Sequence, residues 1–103
     1  MNRTQQAHER IKTEILREKA ATLGRAGERL EAALEAVAVI ARRVDESADA
    51  AERTRLLGDY EAARARALQA RLALLIQREA LGLRHHRAVD ERFPEPPRLQ
   101  HRA

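Results

Sequence analysis

Cysteine is absent from the 103 residues, which excludes a disulfide framework, a thiolate metal site and a cysteine nucleophile. Aromatic residues are almost absent too. Tyr60 and Phe93 are the only two, so the chain has neither the bulk for a thick globular core nor a row of rings on which bases stack. Four glycines and three prolines are too few for a loop-rich or all-β chain. The longest apolar runs, AVAVIA at 36–41 and LALLI at 72–76, fall far short of the ~20 residues that cross a bilayer. The opening MNRTQQAHERIK is polar and lacks the apolar centre of a secretion signal. These absences lead to the expectation of a cytoplasmic protein with no membrane partner.

Charge and alanine are what the chain has in quantity. Charged residues make up 35% of it, with 20 basic against 16 acidic side chains and a net charge of +4. A basic balance invites a nucleic-acid reading. Lys12 and Lys19 are the only lysines, however, and arginine supplies the remaining basic residues. Arginine enriched together with alanine is the usual mark of GC-rich coding DNA, whatever the function, so the charge by itself does not identify a partner.

The pattern along the chain is helical. From Leu16 onward, apolar or small residues recur at alternating spacings of four and three, through Ala20, Leu23, Gly27, Leu30, Leu34, Val37, Ala41 and Val44. A repeat of 3.5 residues held over four heptads marks a packed helical seam. The stretch LGRAGERL raises the question of whether Gly24 and Gly27 end the helix. The repeat continues in phase beyond them, so the helix is expected to run on. Each interior glycine costs about 1 kcal/mol relative to alanine, and close approach of a partner helix is the expected return. Ala20, Gly24 and Gly27 thus form a candidate helix-packing groove, in which Gly27→Leu would collide with a facing helix.

After Val44 the segment DESADAAER supplies three capable helix caps in Asp45, Ser47 and Asp49, and Asp49 with Glu52 resembles a capping box. The expected layout is helix 1 over 4–44, a turn over 45–49, helix 2 over 50–81, a short helix over 84–92 and a flexible, extended tail over 94–103 with nothing to bury. One uninterrupted helix is the rival to the turn. In the second helix Leu56, Tyr60, Ala63, Ala67, Ala70, Leu74 and Leu81 follow the heptad, and Leu68, Leu72, Leu75 and Ile76 form a second stripe beside them. An apolar face wider than a single stripe calls for burial on two sides. The fold class is therefore all-α, a long antiparallel hairpin that dimerises into a four-helix bundle. The dimer or bundle core would draw on Leu16, Leu23, Leu30, Leu34, Val37, Tyr60, Leu68, Leu72, Leu75 and Ile76, with the glycine groove receiving Leu68 and Leu72 or the equivalent helix of a second subunit. Gly82, followed by Leu83, has the form of a helix C-cap.

Chemistry-bearing groups are sparse. Arg64, Arg71 and Arg78 recur every seven residues on one helix face, as a phosphate-binding stripe would. The flank of a packed seam has the same pattern, because arginine stems cover apolar side chains and their heads pair with carboxylates. The hairpin would bring His8 towards His85 and His86, but adjacent histidines point to different sides of a helix and none of the four has a second histidine four residues away, so no metal is expected. Serine occurs once, at Ser47, and no glycine loop cradles phosphate. No enzyme activity and no cofactor are expected.

Two stretches, EILREKAATLGRAGERLEAAL at 14–34 and IQREALGLRHHRAV at 76–89, resemble a family of short, uncharacterised bacterial helical proteins classed as a domain of unknown function. The resemblance implies no activity and no functional residue. It implies that Gly24, Gly27, Gln77, Arg78, Glu79 and Gly82 belong to one shared structural device. The function expected is a non-enzymatic helical module that binds itself or another protein, possessing a regulatory role. The alternative is a small basic regulator that binds RNA or DNA along an arginine-bearing helix face.

Overall fold

The computed structural model of the chain describes residues 2–99. It contains three helices, α1 (Arg3–Glu46), α2 (Ala50–Ala80) and α3 (Arg87–Arg92), and no strand among the described residues. The first two pack as an antiparallel hairpin. Gly24 and Gly27 lie well inside α1, which passes through both without a break.

Each helix end has a local cause. At the start of α1 the Asn2 side chain accepts from the Gln5 amide at 2.8 Å and the Gln5 side chain accepts from the Asn2 amide at 3.2 Å, a reciprocal cap that the sequence reading missed. The turn is shorter than expected. Ser47 is extended, and the Asp49 side chain accepts from the Glu52 amide at 2.9 Å to start α2. Arg53 reaches back and donates at 3.1 Å to the Val44 carbonyl, which also accepts from the Ser47 amide at 3.3 Å, so the end of α1 is tied to the start of α2. At the far end of α2, Gly82 has φ of +84°, and the amides of Gly82 and Leu83 donate to the carbonyls of Glu79 and Arg78, both at 2.9 Å. This left-handed C-cap needs glycine because a Cβ is strained there.

The core is one seam between α1 and α2. Ala26, Leu30, Val37 and Val44 face Leu56, Leu57, Tyr60, Ala63, Ala67 and Leu74, and all ten are buried. Small residues at Ala26, Ala63 and Ala67 let the two axes approach closely. Tyr60 is the largest fully buried side chain.

Two expectations are corrected here. The buried line on α1 runs through Ala26 where the seam had been drawn through Gly27, because Leu23, Ala26, Leu30, Ala33, Val37, Ile40 and Val44 keep the heptad one flank over. Gly27, Leu34 and Ala41 are half-buried at its edge. Leu68 and Leu72 do not enter the glycine groove, since Leu68 is half-buried on α2 and Leu72 is 59% exposed on its outer surface. Leu16 and Ile76, expected in a dimer or bundle core, are 60% and 55% exposed in the single chain, whereas Leu75 packs at the edge of the cluster of Ala26, Leu30 and Leu74.

The two long helices differ in length, 44 residues against 31. α2 runs out near Leu23, and every residue from Asn2 to Ala21 is exposed. The start of α1 is therefore an arm projecting from the hairpin, which stretches the molecule to 72 × 20 × 15 Å.

Leu30, 0% exposed, is central to the seam, and Leu30→Ala is expected to lower unfolding free energy by about 3 kcal/mol in a denaturant titration. A Cβ added at Gly27 meets nothing within 4 Å, so the facing helix that Gly27→Leu was expected to strike is not there at Cβ. Gly27→Ala is expected to raise stability by about 0.5–1 kcal/mol through helix propensity.

Candidate functional site

The C-terminal segment folds back over one face of the hairpin. Gly82 turns the chain, α3 lies across the end of the seam with Val89 buried against Ala26, Leu30 and Leu74, and Phe93 packs half-buried beside it. Residues 94–99 then run along α2 as a strap. Leu99 is half-buried against the clusters of Val37 and Tyr60 and of Val44, Leu56 and Leu57. The tail is extended as expected, but residues 94–99 are not free, because Leu99 has an apolar site to fill. Residues 100–103 lie outside the described residues.

The arginine stripe holds this segment. Arg64 Nε donates to the Pro96 carbonyl at 2.8 Å. One Arg71 Nη pairs with the Asp90 carboxylate and the other lies 3.8 Å from Glu95. Arg78 donates to the His85 carbonyl at 3.0 Å and to His86 Nδ1 at 3.3 Å. Tyr60, though buried, donates its hydroxyl to the Pro97 carbonyl, so its polar end is satisfied by the strap. The carboxylates that the flank of a packed seam would offer the stripe are supplied by this C-terminal segment, at Asp90 and Glu95. The spacing of seven was legible as a shared face. The backbone carbonyls among its partners, those of His85 and Pro96, carry no sequence signature.

An open cleft of about 340 Å³ lies where α1, the end of α2 and α3 meet. Gly24 and Gly27 form its α1 wall, Leu23, Leu74, Val89 and Phe93 its floor, and Glu28, Glu31, Arg78 and Arg92 its rim. The structure thus brings Gly24, Gly27 and Arg78 together around one space. Ala20, the third groove residue, is exposed beyond it. The Arg92 guanidinium lies 5.1 Å from the Phe93 ring centre, closing one side by a cation–π contact. An apolar floor with fixed charges at the rim suits packing of a side chain or a small amphiphile.

The histidines are dispersed. His8 is exposed on the arm, and His85 is exposed at the end of the loop. His86 is half-buried. Its Nδ1 accepts from Arg78 and its Nε2 lies 3.1 Å from Glu79, so this bonding assigns the Nε2–H tautomer. No group of three or more histidines and carboxylates that could hold a metal ion forms among the described residues. No described helix is long and apolar enough to cross a membrane.

Burial raises the Tyr60 phenol above its ordinary value of 10.0, an effect that Arg64 opposes and Glu61 reinforces. No family model, curated protein or solved structure matches the chain.

Because Asp90 and Glu95 are more than half exposed, solvent screening limits what their pairing with Arg71 contributes. Arg71→Ala is expected to cost about 1 kcal/mol, read as a fall in Tm of roughly 4–8 °C. A raised phenol pKa means that the folded state resists ionisation. The stability from buried, neutral Tyr60 is full below pH 10.0 and declines as pH rises through the higher folded value. Tyr60→Phe is expected to flatten that alkaline decline in a pH series of thermal melts.

Proposed function

We propose that this chain is a non-enzymatic helical module that joins a second copy of itself, forming a four-helix assembly with a regulatory or scaffolding role. The arm of α1 carries this reading. From Asn2 to Ala21 the helix has no neighbour among the described residues, yet it carries Ile11, Ile15 and Leu16, each close to half exposed or more. A lone helix of this length is marginal in water, because most helical stability in proteins comes from packing one face. The arm gains that packing only from another molecule.

The resemblance of residues 14–34 and 76–89 to an uncharacterised bacterial family, and a cytoplasmic location, belong to the same proposal. Nucleic-acid binding along Arg64, Arg71 and Arg78 has less support, because all three guanidiniums already bond the C-terminal segment.

Light scattering at micromolar concentration is expected to give twice the chain mass. Amide exchange over residues 3–21 is expected to slow as concentration rises, while exchange in the seam stays constant. A chain mass that stays single over this range overturns the reading.

A further inference from the structure

This inference rests on the self-association proposed above and names its register. α1 has three flanks. α2 covers the first, along Ala26, Leu30, Val37 and Val44. The cleft and α3 occupy the second, at Gly24, Gly27 and Glu31. The third lies opposite the cleft and has no neighbour among the described residues.

On this third flank, spacings of four and three lead through Ile11, Ile15, Glu18 and Thr22 in the arm. The same spacings continue through Arg25, Arg29, Ala32 and Ala36 in the hairpin. All are exposed except Thr22, which is half-buried. Glu18 and Arg29 make no ion pair among the described residues.

Read inward from its two ends, the row is complementary to itself. Ile11 is matched by Ala36, Ile15 by Ala32, Glu18 by Arg29 and Thr22 by Arg25. Large residues in the arm meet small ones in the hairpin, as knobs meet holes, and the one acid meets a base. No two like charges face each other in these matches. Rows with heptad spacing stay aligned along a left-handed supercoil, so the match persists over the length of α1.

We infer that a second copy of the chain docks antiparallel on this flank, with the two-fold axis between Leu23 and Gly24, so that each pair forms twice. The contact is isologous, with the same patch used by both copies. Each arm, residues 2–21, lies along residues 26–45 of the other chain. Its isoleucines leave water against Ala32 and Ala36, whose short side chains allow the helices to close. The glycine cleft stays outside the interface.

The full chain tests this through charge reversal and a directed disulfide. Glu18→Arg is expected to weaken dimerisation about tenfold, because it replaces two attractive pairs by two repulsive ones. Adding Arg29→Glu to the same chain is expected to restore the affinity. Mixing Ile11→Cys protein with Ala36→Cys protein under mild oxidation is expected to give a crossed disulfide, and no native cysteine competes. Circular dichroism confirms that each variant stays helical. A dimer in which the second charge change gives no rescue, or in which the Ile11→Cys protein links to itself while the mixture does not cross-link, overturns the register and leaves self-association standing. A wild-type chain that stays monomeric overturns both.

Discussion

The hairpin depends on one apolar seam, a single side chain deep, and the rest of the molecule is placed by it. With so little aromatic bulk available, the seam obtains its close packing from alanine, at Ala26, Ala63 and Ala67, and reserves its one large ring for Tyr60. Close approach of two helices narrows the trough beside their contact line, which suits it to a slender third segment. The C-terminal strap fills that trough, and so three arginines, a tyrosine hydroxyl and two proline carbonyls come together.

The arginine composition reads differently once the chain is folded. A set of guanidiniums seven residues apart looks like a ladder for phosphate. Here each head turns inward along the protein surface, to a backbone oxygen or a carboxylate from the C-terminal segment. Arginine suits this because its planar fork reaches two acceptors at once, as Arg71 does between Asp90 and Glu95. The Nε of Arg71 is nevertheless buried without a partner among the described residues, a cost set against the pairing at its other two nitrogens.

The amino-acid sequence makes the large features legible and the small ones less so. The two long helices, the turn before Asp49 and the glycine stop at 82 follow from periodicity and capping residues, since both depend on neighbours within four positions. The choice between Ala26 and Gly27 on the seam was harder. Either fits a 3.5-residue repeat, and only the position of α2 and α3 around α1 separates them. The arm was visible in principle. One heptad before Ala26 stands Lys19 and two before it stands Lys12, so the seam turns polar where α2 ends. The strap was the least legible element, because Leu99 is a lone apolar residue among prolines and charges, and its site exists only after the hairpin has closed.

That dependence sets an order of events in folding. The trough exists only where α1 and α2 are already paired, so the hairpin must close first. The strap joins residue 60 to residue 97, and it docks on the finished hairpin. A chain cut short before α3 would keep its two long helices. It would also leave the arginine face open to the first acidic surface it met in the cell.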